Sequence, residues 1–203
     1  MTTTGAGRPA QTSHAELREL AMAMFAERGY DDTSLADVAR AAGVSRTTLF
    51  SYVPAKRDLL WEEHDERDRR LERYLAAPPD GELVEVLVGA LLVIARYDCA
   101  DHRRFASRAR IVGGSPELRA YSALRTAELA ERIVALARLH SPLLAPDAVG
   151  DVARALMAIA AATIEDWGRS EIVTEDLDVA IRRRVAPFLA PLSAVADGSS
   201  TRS

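Results

Sequence analysis

An all-α chain of two domains is what this sequence predicts, and three observations carry the expectation. Apolar residues recur at helical spacing, and no segment of any length alternates apolar with polar residues as a half-buried strand does. Hydroxyl residues followed by acids open the periodic segments, and Gly or Pro clusters close them. Between Asp31 and Leu60, two short helical patterns flank Ala42-Gly43-Val44, a spacing that suits a tight turn between helices. Nine helices are expected, three in an N-terminal head and six in a larger body.

Residues 1–12 are polar, carry one charge (Arg8) and read as a flexible arm. Ser13 and Glu16 make a capping box for the first helix; Leu17, Leu20, Ala21, Met24 and Phe25 form its apolar face, and Gly29 ends it. Ser34 and Asp37 open the second helix, with Leu35, Val38 and Ala39 inward, and Gly43 can take the left-handed conformation that ends it. Ser45 opens the third. Leu49 and Phe50 supply its buried side, leaving Arg46, Thr47 and Ser51 outward. The head spans residues 13–57. Pro54-Ala55-Lys56 leads into a long polar helix reaching about Ala77, and Pro78-Pro79-Asp80-Gly81 breaks it. Glu82 to Tyr97 is apolar nearly all round, as a central helix buried on several sides would be. An Arg-rich helix over residues 101–112 follows, closed by Gly113-Gly114. Ser115 and Pro116 start a long helix to about His140. The last two helices cover residues 147–168 and 174–189; Thr174 caps the second, and Asp176 and Asp178 suit its N-terminal dipole. The body spans 58–192, and 193–203 reads as a disordered tail.

A Gly turn between two short amphipathic helices is how a helix-turn-helix offers its second helix to the major groove. Arg46, Thr47 and Ser51 have the length and chemistry to read base edges. Here the chain resembles the TetR family of one-component transcriptional repressors. The matching residues are Phe25, Gly29-Tyr30, Thr33-Ser34, Ala41 to Ser45, Thr48-Leu49-Phe50, Tyr52, Pro54, Lys56 and Asp58-Leu59-Leu60. The family usually has Tyr where this chain has Phe50, which removes one phosphate hydrogen bond, and Phe where it has Val53, which fills less core volume. The resemblance implies phosphate contacts from Thr33, Ser45, Tyr52 and Lys56, and a minor-groove contact from Arg8. It further implies a homodimer on a pseudo-palindromic double-stranded operator, acting as a repressor released by a small molecule, with the same nine-helix division.

Composition alone does not suggest a nucleic-acid partner, because the net charge is -4 and the pI about 5.6. The charge is unevenly divided, however. The segment 1–57 is slightly basic and the remainder acidic, compatible with a small reading head on an acidic body. The one cysteine, Cys99, excludes an intrachain disulfide and fits a reducing cytoplasm, where its thiol is expected to be small buried bulk. The N-terminal residues have no apolar core of a signal peptide, and the longest apolar run, 86–95, is too short to span a bilayer.

Catalytic and metal signals are weak. Cys99 and His102 have a metal-like spacing, but no second pair completes four ligands, so no metal or cofactor is expected. His64 stands among Glu62, Glu63, Asp65 and Glu66, as an acid/base site might be drawn. Arg67, Arg69, Arg70 and Arg73 follow at pairing distance, which favours a solvated face of ion pairs. With no phosphate loop or nucleophile elbow, an enzyme built on the helical body has no positive support; a helix-turn-helix adaptor without ligand is the other alternative.

In the body, Leu87, Leu91 and Ile94 with Phe105, Tyr121, Arg125 and Trp167 outline an apolar pocket with a few polar groups. Arg104 and Arg108 flank the apolar side of their helix, either as salt-bridge partners of the fourth helix or as an anion clamp that would favour an acidic ligand. Trp61, Pro78-Pro79, the Arg-rich helix, Pro116-Glu117-Leu118 and Trp167 resemble actinobacterial regulators of the same family, some of them mycofactocin-associated. That resemblance adds acyl-CoA-like molecules as ligand candidates. The small apolar stripe Val152, Leu156, Ile159 and Thr163 is expected to pack against a twofold mate, as the corresponding helices of the family do.

Overall fold

Residues 13–196 are described by a computed structural model, without the side chains of residues 62–65 and 196. The chain divides into two compact units, Met1–Glu62 and Glu63–Ser203. In the first, α1 (His14–Arg28), α2 (Leu35–Ala41) and α3 (Arg46–Tyr52) pack in succession. Both expected capping boxes form: Ser13 with Glu16, and Ser34 with Asp37. Leu17, Ala21, Phe25, Val38, Ala39 and Leu49 make the buried centre, and Phe25 meets Tyr30 edge-to-face at 5.1 Å.

The unit boundary falls inside α4 (Asp58–Ala76), five residues beyond the expected head. The fourth helix starts at Asp58, not at Pro54; a turn precedes it, in which the Asp58 carboxylate accepts from the Ala55 N–H at 2.9 Å.

In the body, α5 (Leu83–Ile94) buries eight side chains and packs against α7 (Pro116–His140), α8 (Pro146–Arg169), α9 (Leu177–Val185) and α10 (Leu189–Ala196). Fully burying a Leu or Val contributes about 1.5–3 kcal/mol, so this helix is the main apolar anchor of the body. A 3-10 turn over Cys99–Asp101 leads into α6 (His102–Gly114). α8 is the hub and touches α5, α6, α7, α9 and α10.

Among the described residues there are ten α-helices, not nine. The last expected helix starts later and splits. Asp176 does not cap its own helix but accepts from the Cys99 N–H at 2.8 Å, and regular structure begins at Leu177. Pro187 has no N–H to donate, so α9 stops at Val185; a 3-10 turn, Ala186–Phe188, joins it to α10. Ser193 to Ala196, assigned to the tail by sequence, therefore belong to α10. The arm 1–12, with Arg8, and residues 197–203 lie outside the described residues. No described helix is long and apolar enough to cross a membrane.

Gly89 marks a close approach. The Tyr74 hydroxyl donates to the Val86 carbonyl at 2.9 Å, and a Cβ on Gly89 would lie 2.2 Å from that hydroxyl oxygen. Gly89→Ala is expected to destabilise the protein by about 1–3 kcal/mol through overpacking. Urea unfolding checks this, and an unchanged midpoint would show that Tyr74 simply swings aside.

Candidate nucleic-acid interface

The turn between α2 and α3 is set by backbone chemistry. Gly43 sits at φ 67°, in the left-handed region. Its N–H bonds to the Arg40 carbonyl at 3.2 Å, and the Val44 N–H bonds to Ala39 at 3.0 Å. Those two bonds form a Schellman motif that closes α2 and aims the chain into α3. Ser45 caps α3 by accepting from the Thr48 N–H at 3.0 Å, and its hydroxyl also meets the Thr48 hydroxyl at 2.7 Å. The Ser34 hydroxyl and N–H hold the Asp37 carboxyl below the usual aspartate range, which keeps the α2 cap charged.

Leu49 is fully buried, which turns Arg46, Thr47, Thr48, Phe50 and Ser51 outward. Phe50 was expected inside and is not: it is 45% exposed, on the same exposed surface as Thr47 and Ser51. Its neighbour Leu49 alone fills the inward position of this two-turn helix. The three expected base-reading residues thus share one open face.

The expected phosphate contacts divide. Thr33 needs correction, because its side chain is buried and its hydroxyl donates to the Gly29 carbonyl at 2.8 Å. Lys56 Nζ donates to the carbonyls of Tyr30 at 2.8 Å and Thr33 at 3.0 Å, and stands 3.9 Å above the Tyr30 ring. It clasps the α1–α2 turn to the segment after α3, which leaves one of its three donors for other use. Tyr52 packs edge-to-face on His14 at 4.6 Å. Only spatial folding reveals the Lys56 clasp, since its acceptors are more than twenty residues away in sequence.

The expected pocket residues are also regrouped. Leu87, Leu91 and Ile94 are core side chains. Phe105 and Trp167 are buried and meet edge-to-face at 5.3 Å; Tyr97 reaches Phe105 at 5.1 Å and His102 reaches Trp167 at 4.8 Å. The Trp167 indole N–H donates to the Glu175 carbonyl at 3.0 Å. The Arg108 guanidinium lies 5.3 Å from the Phe105 ring centre and 5.9 Å from that of Tyr97. Arg125, on α7 with Tyr121, forms an ion pair with Asp68 of α4. Arg69 and Arg73 pair with Glu66 as expected. Arg67 and Arg70 do not follow that pattern: the Nε atom of each is buried without a hydrogen-bond acceptor. Burial lowers the Arg67 guanidinium from its usual value; Tyr97 opposes this, Arg108 adds to it, Asp68 opposes and Arg125 adds. A separate open groove of about 790 Å³ runs between α6 and α8, with Arg103, Arg110 and Arg169 around Phe105, Ala109 and Ile164.

Two further expectations change. Val152, Leu156 and Thr163 are buried in this chain's own core, and Ile159 packs partly against it. The outward side of α8 carries Arg154, Ala158, Ala161 and Glu165 instead, with Ala155 and Ala162 half-buried. Cys99, expected to be buried, is exposed at the start of the 3-10 turn, which buries none of its residues. No group of three metal-ligating residues is found among the described residues.

Comparison with known proteins agrees with this geometry. A family profile described as bacterial regulatory proteins of the tetR family matches residues 17–62, and one described as the MftR C-terminal domain matches residues 81–190. The chain is 32% identical over 170 residues to a mycofactocin biosynthesis transcriptional regulator, MftR, of Mycobacterium tuberculosis, covering 83% of this chain and 86% of that one. In fold it is similar to Mycobacterium smegmatis AmtR, with TM-score 0.54 and 22% identity over 96% of this chain and 98% of the other. It is likewise similar to the TetR-family repressor FadR of Thermus thermophilus in complex with lauroyl-CoA, with TM-score 0.53 and 21% identity over 94% and 97%.

Lys56→Ala removes two charge-assisted bonds to backbone carbonyls. It is expected to lower stability by about 1.5–3 kcal/mol. Urea denaturation of the full chain measures this; an unmoved midpoint would mean that the clasp holds nothing.

Proposed function

We propose that this chain, which belongs to the TetR family of bacterial regulatory proteins, is a cytoplasmic repressor that leaves its operator when a small, largely apolar molecule enters the body. It is a DNA-binding transcriptional regulator. The observation that carries the DNA side is the open α3 face behind the Gly43 turn, with Arg46, Thr47 and Ser51 presented together. In this reading they touch base edges, while Ser45, Tyr52 and the remaining Lys56 donor meet phosphates. Arg8 keeps its proposed minor-groove role.

Regulators of this family act on operator DNA as dimers. For this chain the proposed dimer surface is the outward side of α8, with Ala158 and Ala161 exposed and Ala155 and Ala162 half-buried, together with exposed Val179 of α9. Small side chains allow two helices to approach closely. The ligand reading draws on the aromatic group around Trp167 and on the resemblance of the fold to FadR, which was solved with lauroyl-CoA. An effector shifts the protein only by its preference for the DNA-incompetent state.

Fluorescence anisotropy with DNA flanking the chain's own gene, at several salt concentrations, tests the regulator function of this chain directly. Arg46→Ala is expected to cost about 1–3 kcal/mol on the specific site and much less on random DNA. Equal losses on both would make Arg46 a phosphate contact. Ala158→Arg is exposed in the single chain, so folding is expected to survive while sedimentation shows monomers with weakened operator binding. A dimer that tolerates this change would move the interface elsewhere.

A further inference from the structure

We propose that Phe50 is a sequence-reading residue, whose ring recognises the C5 methyl group of a thymine in the major groove, beside the base that Arg46 reads. This rests on the reading that the outward face of α3 meets base edges, and it adds to that face a contact made without hydrogen bonds.

Phe50 is 45% exposed, and among the described residues it is the one exposed large apolar side chain of the head; the others all belong to the body. The described ring contacts of the head join Phe25 to Tyr30 and Tyr52 to His14, and neither includes Phe50. A single exposed apolar side chain is ordinary on a protein surface, so its place on the helix is what gives this one a meaning. With about 3.6 residues per turn, Phe50 stands one turn after Arg46 and Thr47, beside both on the surface of α3. Buried Leu49 fixes that rotation. The hydroxyls nearby are partly committed to their own helix. Ser51 donates to the Thr48 carbonyl at 2.7 Å, and the Ser45 and Thr48 hydroxyls meet at 2.7 Å. In this posture Ser51 offers a base only lone pairs. The face is therefore poorer in donors than its sequence suggests, and Phe50 is a larger share of it.

Chemistry leaves the ring one target. It has no donor or acceptor, so phosphate oxygens and the polar atoms of base edges give it no hydrogen bond. The apolar group that the major groove presents is the thymine C5 methyl. Ring and methyl in contact leave water together and strand no polar atom. Adenine, guanine and cytosine would set polar atoms against the ring, and those would lose water without a replacement. Helix residues one turn apart stand about 5–6 Å from each other, and successive bases of a strand about 3.4 Å. The thymine thus falls within about two base pairs of the base that Arg46 reads.

Deoxyuridine lacks the C5 methyl and keeps the pairing edge of thymine. In the stretch that the full-length protein protects beside its own gene, each thymine is replaced singly by deoxyuridine, and affinity is measured by fluorescence anisotropy. At a thymine within about two base pairs of the Arg46 base, wild-type affinity is expected to fall about fourfold, the value of one buried methyl. Random duplexes, held through phosphates, should bind alike with thymine or uracil. Phe50→Ala is expected to weaken binding to the thymine duplex and to bind the two duplexes equally. Phe50→Leu, apolar but smaller, should keep part of the methyl effect. If Phe50→Ala does not fold, Phe50→Leu decides alone, and the methyl effect must shrink in it. A full methyl effect in the deciding variant would give the methyl to another side chain and overturn the proposal. A protected stretch with no sensitive thymine at that distance would overturn it as well. The two readings fail differently. If Arg46→Ala loses specificity while the uridine scan is flat, the reading face stands and Phe50 leaves it. If the flanking DNA binds no better than random duplex, the face itself falls, and Phe50 with it.

Discussion

Gly43 holds the angle on which DNA reading by this protein depends. At φ 67° the chain reverses within two residues, and the bonds to Arg40 and Ala39 close α2 on the spot. A side chain there would be strained for backbone reasons, although nothing crowds the position. Because α2 ends cleanly, Ser45 falls at the cap of α3, and because α3 is only two turns long, one buried residue, Leu49, is enough to fix its rotation. Everything that faces outward follows from that single inward contact. Rotating α3 by one residue would bury Phe50 and withdraw Ser51 or Thr47 from the open face.

Much of the head was legible because its determinants are local. Ser13 with Glu16, Ser34 with Asp37, and Ser45 with Thr48 all act across three residues, so their spacing in sequence is their spacing in space. What went unread there is what crosses the fold. The Lys56 ammonium reaches carbonyls of the α1–α2 turn, and the Thr33 hydroxyl is turned inward to Gly29. Phe50 was misjudged because a hydrophobic residue beside Leu49 fits a buried side, and a two-turn helix has room for only one.

The body was harder for a related reason. Periodicity says that Val152, Leu156 and Thr163 lie on one side of α8, but not whether that side meets its own domain or another molecule. The hub position of α8 against five other helices decides for its own domain. Charge patterns mislead in the same way. Arg69 and Arg73 find Glu66 on their own helix, whereas Arg67, a residue or two away, is turned into the body. Pro187 was visible in the sequence, yet its effect, the division of the final helix, depends on a chain that turns and resumes as α10.

The clasp at Lys56 has a consequence for the chemistry of the whole chain. Of 26 lysines and arginines it is the only lysine. A compact ammonium can point its hydrogens at two carbonyls while resting on a ring, and a flat guanidinium has no equivalent posture. Side-chain amine reactivity is therefore confined to one nitrogen, and that nitrogen stands in the DNA-binding head. Acylating it would erase the positive charge and leave a single N–H, so at most one of the two backbone tethers could remain, while the arginines of the body, which carry no such amine, would be untouched.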